Sequence, residues 1–103
     1  MAYTNAVLAA LADPTRREIL DQLRTGPRAV GEIADALPVS RPAVSQHLKV
    51  LKDSGLVAET RRGTRHYFAI APEGIGALRA YLDELWGDAL GAFARHVAKE
   101  QSR

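Results

Sequence analysis

Residue periodicity and end signals predict a mostly α-helical chain with one small β-hairpin, about five helices and a two-stranded ribbon. Three observations carry that expectation. Residues 40–55 read as one short helix with both ends marked. After Gly55 the side-chain period drops from helical to alternating. From Pro72 onward a helical apolar stripe runs almost to the end of the chain.

The chain has 103 residues, enough for a single domain over 1–103, and its 47% hydrophobic content allows a small packed core. A core of that size gains from being shared with a second copy. The absence of Cys excludes disulfides, thiolate metal sites and a Cys nucleophile. No run approaches the length of a membrane span, and Met1-Ala-Tyr-Thr-Asn-Ala6 has no basic region of a secretory signal, so the cytoplasm is the expected location. The net charge of +2 says little, but its distribution is uneven. Residues 41–65 hold six Arg or Lys against Asp53 and Glu59, a net of +4, and the rest of the chain is net −2. That asymmetry points to an anionic partner for residues 41–65.

Taken in order, residues 3–11 form a first helix on Tyr3, Val7 and Leu11, with Leu8 beside them. Asp13-Pro14 is a start signal for a second helix, Asp as N-cap and Pro at the first helical position. It runs to about Arg24 with Ile19, Leu20 and Leu23 inward, and Gly26-Pro27 stops it. Arg28-Ala29 is either an isolated strand or a connector. Residues 30–37 are a short third helix with Val30, Ile33, Ala34 and Leu37 inward. Pro38-Val39 turns the chain into the fourth helix. There Ser40 is the N-cap, Pro42 lies in the first turn, and Val39 and Val44 make a hydrophobic staple. Gly55 suits the left-handed C′ position, with Leu51 and Leu56 as the apolar pair of a Schellman stop. Leu56 to Arg61 and Thr64 to Ile70 read as strands joined at Arg62-Gly63. The last helix spans about 72–99. Its stripe of Leu78, Leu82, Leu85, Ala89, Phe93 and Val97, broadened by Ile75, Tyr81, Trp86 and Leu90, is long for so small a core, so part of it is expected to meet a second chain.

A short helix, a tight turn and a second helix with a polar outer face make a helix-turn-helix, and the hairpin that follows is a wing. In that arrangement the second helix enters a DNA major groove. Val44, Leu48 and Leu51 hold it to the core. Ser40, Arg41, Pro42, Ser45, Gln46 and Lys49 lie on or beside the face offered outward. Ser45 and Gln46 suit base edges, Arg41 a guanine or a phosphate, and Lys49 a phosphate. The bland alternative is a solvated helix surface, but the spacing and the wing favour readout. His47 sits beside the apolar stripe and reads as a structural hydrogen-bonding residue that touches the DNA backbone. Arg61, Arg62 and Arg65 are solvated hairpin charges or, given the wing, phosphate and minor-groove contacts.

Ala10-Leu-Ala-Asp-Pro-Thr-Arg-Arg-Glu-Ile-Leu20 resembles the opening motif of the ArsR family of bacterial winged-helix repressors. Ser40-x-x-x-Val44-Ser45-x-His47-Leu48-x-x-Leu51, followed by Gly55-Leu-Val, resembles its recognition helix. Arg61-Arg-Gly-x-Arg-His-Tyr-Phe68 is similar to its wing. The resemblance covers about residues 6–71. It implies a winged helix-turn-helix that dimerises through its first and last helices, binds a palindromic operator in double-stranded DNA, and is released by an effector. Metal sensors of the family often carry Cys-x-Cys in the third helix, where this chain has Val30-Gly-Glu-Ile-Ala-Asp-Ala36. Others bind zinc on the last helix, where the matching positions are Asp83, Leu85, His96 and Lys99. Two candidate ligands of four do not close a tetrahedral site, so no metal and no cofactor is expected.

Catalysis has little support. Ser45 and His47 are two apart on a helix and face different ways, and His47, His66 and His96 lie on separate elements. Two other readings compete with a homodimeric repressor, one that regulates its own gene included: a protein-interaction module on the same scaffold, and a metal-responsive repressor. The effector is a small molecule or none; Tyr81, Trp86 and Phe93 line either a ligand pocket or the dimer core.

Overall fold

The computed structural model describes residues 2–101, with side chains from residue 4 onward. The Tyr3 member of the first stripe therefore lies outside the described side chains. The order is α1 (Ala2–Leu11), α2 (Pro14–Gln22) with a 3-10 turn at Leu23–Thr25, β1 (Arg28–Ala29), α3 (Val30–Asp35), α4 (Arg41–Asp53), β2 (Val57–Arg62), β3 (Arg65–Ile70) and α5 (Pro72–Gln101). All five expected helices are present, with ends shifted by a few residues.

The hairpin differs in two ways. The sheet has three strands in the order β1-β3-β2, all antiparallel. Arg28 and Ala29 pair with Phe68 and Tyr67, so the short connector is an edge strand that ties the segment before α3 to the wing. The hairpin turn is also one residue further on. Arg62 pairs with Arg65, leaving Gly63-Thr64 as the two-residue loop. Gly63 has φ +61°, the left-handed conformation that a side chain would strain. Both placements of the turn use this glycine; the observed one keeps Arg62 and Arg65 in the ladder.

The caps of α4 agree with the residues. Ser40 Oγ accepts from Ala43 N–H at 3.2 Å. At the other end Leu56 N–H donates to Leu51 C=O at 2.9 Å and Gly55 N–H to Lys52 C=O at 3.0 Å, the bond pair of a Schellman motif. Gly55 supplies the positive φ, +79°. Leu51 and Leu56 are both fully buried. They join Val7, Ala10, Ile19, Leu23, Ile33, Val44, Leu48 and Val57 in one core, drawn from α1 to α4 and the start of β2. Burying a Leu or Ile side chain contributes roughly 1.5–3 kcal/mol each, so the apolar stripe of α4 is what fixes its orientation.

The start of α5 presses on the turn that ends α4. Gly74 N–H donates to Gly55 C=O at 2.9 Å. A Cβ at Gly74 would lie 2.8 Å from that carbonyl oxygen, closer than side chains approach backbone. Beyond this joint, α5 packs along α1, and Leu78 reaches the core. Its remaining apolar residues stay open: Leu82, Leu85, Trp86, Leu90 and Phe93 are between 47% and 66% exposed. The 30-residue helix, about 45 Å long, gives the molecule a principal-axis length of 70 Å against 25 Å across.

Gly74→Ala is expected to lower stability by about 1–3 kcal/mol, because backbone rather than a movable side chain must give way. Gly76→Ala, two residues on in the same helix with nothing within 4 Å of the added carbon, is the control and is expected to be neutral or stabilising. Urea unfolding of the two variants measures the difference.

Candidate nucleic-acid interface

The site is built on α4. Its inner residues Val44, Leu48 and Leu51 are buried, which turns Arg41, Pro42, Ser45, Gln46 and Lys49 to solvent. Ser40, at the cap, is exposed as well. Among the described residues, neither Ser45 nor Gln46 makes a side-chain hydrogen bond, so their polar groups are available to a partner. α3 packs across α4 in the usual helix-turn-helix way, and the wing stands beside it.

Between α3, α4 and the wing lies a cleft of about 630 Å³. Arg41, Ser45, Lys49 and Lys52 line it from α4, Glu59 from β2, and Arg65, His66 and Phe68 from β3. Glu32 and Gly31 close it on the α3 side, and the Arg41 guanidinium lies over Gly31. Gln46, Pro42, Arg61 and Arg62 are outside the cleft. The expected site residues thus divide in two: one group walls the cleft, and the other faces outward from α4 or from the wing.

Two polar networks shape this surface. The first holds α1, α2 and α4 together. Asp13 caps α2, accepting from Thr15 N–H at 2.8 Å and Arg16 N–H at 3.3 Å. Arg16 turns back on α1, donating to Ala10 C=O at 2.7 Å and Ala9 C=O at 3.2 Å; Arg17 donates to Leu11 C=O at 2.7 Å. Two guanidinium groups thereby satisfy the orphan carbonyls at the C-terminus of α1, where positive charge is favoured. Arg16 also reaches Nδ1 of the half-buried His47 at 3.4 Å. Arg has only donors, so Nδ1 accepts, and the ring proton of His47 sits on Nε2. His47 is therefore a hydrogen-bonded structural residue with one donor left over.

The second network crosses the foot of the wing. Lys52 Nζ donates to Glu59 Oε1 at 2.9 Å, the other carboxylate oxygen meets Nδ1 of His66, and Arg61 meets Nε2 of that ring at 3.2 Å. Hydrogen bonds from Lys52 and from His66 hold the Glu59 carboxyl below the usual glutamate range, against a smaller desolvation effect. Lys49 is paired with Asp53 at 3.3 Å, but both side chains are mostly exposed, so the pair is weak.

Sequence reasoning counted Lys52 in the charge of residues 41–65 and gave neither Glu59 nor Arg16 a place in the site. Glu59, seven residues from both of its partners, has no signal short of the strand register. On α5, Asp83 lies 4.0 Å from Arg79 and His96 lies 3.4 Å from Glu100. Among the described residues no three His, Cys, Asp or Glu gather in a way that could hold a metal ion, and no helix is long and apolar enough to cross a membrane.

Residues 13–59 match the family model described as bacterial regulatory protein, arsR family. HTH-type transcriptional regulator Rv2034 of Mycobacterium tuberculosis is 54% identical over 91 residues, which cover 88% of this chain and 85% of that protein. The chain belongs to the arsR family of bacterial transcriptional regulators. Among other members, the transcriptional repressor SdpR of Bacillus subtilis is 39% identical over 66 residues, 64% of this chain and 73% of its own. A solution structure of a homodimeric winged helix-turn-helix DNA-binding domain from Mycobacterium bovis superposes with a TM-score of 0.69 at 38% identity, covering 86% of this chain and 82% of that one. The arsR-family motif at residues 10–20 now has a physical content. Its Asp caps α2, and its two Arg cap α1.

The Asp13 cap also sets an acid sensitivity. Partial desolvation pushes its carboxyl up, but the N–H groups of Arg16 and Thr15 outweigh this and leave the pKa below the ordinary 3.8. A depressed folded pKa contributes stability that is present above the unfolded value and is lost as pH falls through the folded one. Asp13→Asn keeps a capping oxygen without the charge. It is expected to flatten the fall in melting temperature below the usual aspartate range and to leave the neutral-pH fold unchanged, as thermal unfolding across acidic pH will record.

Proposed function

We propose that this arsR-family regulator is a homodimeric repressor that reads a two-fold symmetric operator, its own promoter being the first place to look. The observation that carries the reading is the outward face of α4. It is held rigidly by a buried stripe and two caps, is free of carboxylates before Asp53, and stands beside a basic cleft and wing. Residues 1–103 serve as one DNA-binding domain with α5 as its dimerisation helix. The chain acts by binding rather than by catalysis, in the cytoplasm where the promoter is.

Each residue then has a task. Ser45 and Gln46, exposed and unbonded, meet base edges in the major groove; Gln pairs well with adenine. Arg41 reaches a base or a phosphate. Lys49 gives up its weak pair with Asp53 for a phosphate, and His47 offers its Nε2 proton to another. Ser40 and Pro42 bring the start of the helix close to the backbone. Arg62 and Arg65 flank the wing loop at Gly63-Thr64, and with Arg61 they contact phosphates or the minor groove. Two such surfaces have to lie one DNA turn apart, about 34 Å, which a dimer sets and a monomer cannot.

The open apolar stripe of α5 supports the dimer. Trp86 and Phe93 are 66% and 65% exposed, an arrangement that a second copy of α5 would cover. The same stripe is the surface that the competing protein-interaction reading would use. The net charge of +4 over residues 41–65 favours DNA.

A duplex from the gene's own upstream region is expected to be retarded by the protein in a gel, with affinity falling steeply as salt rises. The double change Ser45→Ala and Gln46→Ala is expected to cost about 1–3 kcal/mol per lost base contact and to leave binding to scrambled DNA in place. No retardation by a folded dimer would end the proposal. For the assembly, Leu85→Glu with Phe93→Glu is expected to give a folded monomer by light scattering that has lost operator binding. A dimer that survives both changes would place the interface elsewhere.

A further inference from the structure

Glu59 is an odd residue for a surface that attracts DNA. It is one of two carboxylates lining the cleft, Glu32 being the other, and it is the less exposed partner of its pairs: its side chain is 26% exposed, against 51% for Lys52 and 42% for His66. Its two oxygens take a bond from a lysine and a bond from an imidazole. That is the geometry with which a phosphate would be received. Arg61 stands on the far side of the His66 ring, 3.2 Å from Nε2.

On the reading that this cleft binds DNA, we propose that the Glu59 carboxylate is an internal stand-in for a DNA phosphate, displaced when a strand enters. Surface pairs of this kind are each weak, so a backbone phosphate, which carries the same single charge but brings neighbouring phosphates to the other cations of the cleft and wing, can take over Lys52. With Glu59 swung aside, Lys52 and His66 turn to the phosphate, and Arg61 follows the His66 ring to the phosphate chain. Arg41, Lys49 and Arg65 line the same cleft and add to its pull on a strand, and Glu32 on α3 is the carboxylate that remains.

The test is fluorescence anisotropy with the full chain at neutral pH, using a labelled upstream duplex and a scrambled duplex. Glu59→Gln is expected to bind both duplexes about fivefold more tightly, the effect of one unit charge a few ångströms from a phosphate near water. A merely structural tie would give the opposite sign, and Glu59→Gln binding that is unchanged or weaker in a folded protein overturns the proposal. If neither duplex binds, the DNA-binding reading itself falls and this inference with it; binding with the wrong sign removes the inference alone.

Discussion

The close approach of α5 to the end of α4 is the constraint on which the other parts depend. Gly55 ends the recognition helix in a left-handed turn, and its carbonyl accepts the N–H of Gly74 at 2.9 Å. Both positions require glycine, the first for its positive φ and the second for want of space. Leu51 and Leu56 bury the same turn from below. Ala71 N–H, donating to Leu56 C=O at 2.9 Å, closes it from the sheet side. The helix proposed to read DNA, the wing and the helix proposed to pair the two copies all leave from this knot. Their relative angles are set by backbone contacts rather than by a linker.

Much of this was legible because it obeys local rules. Ser40, Gly55 and Asp13-Pro14 mark helix ends through bonds that span a few residues, and each does in the structure what its type suggests. The apolar stripes of α2 and α4 follow the helical period and are buried accordingly. What was not legible depends on contacts distant in sequence. Arg28-Ala29 is two residues long and has no period of its own; only its pairing with Tyr67 and Phe68 makes it a strand. The hairpin turn was misplaced by one residue because either frame gives Gly63 a left-handed role.

The polar site was half legible for the same reason. Exposure of Ser45 and Gln46 follows from the burial of Val44 and Leu48 on the other side of one helix. The partners of His47 and His66 do not follow. Arg16 is 31 residues from His47, and the Glu59–His66 contact joins facing strands whose register the sequence left two residues off. Charge counting over residues 41–65 found the basic region and treated Glu59 as a subtraction from it. The structure gives that carboxylate a place among the cations.

The bareness of the outward face of α4 has a consequence for how such a regulator can change over generations. The side chains of Ser45 and Gln46 bond to none of the described residues, while the caps, the stripe and the Gly55–Gly74 contact that hold the helix lie elsewhere. Replacing the two residues costs the fold almost nothing. With these two residues as the proposed readers of the operator, a copy arising by gene duplication could therefore drift to a new target site without first becoming unstable. The positions that resist drift would be the glycines and arginines of the frame, which hold the helix in place.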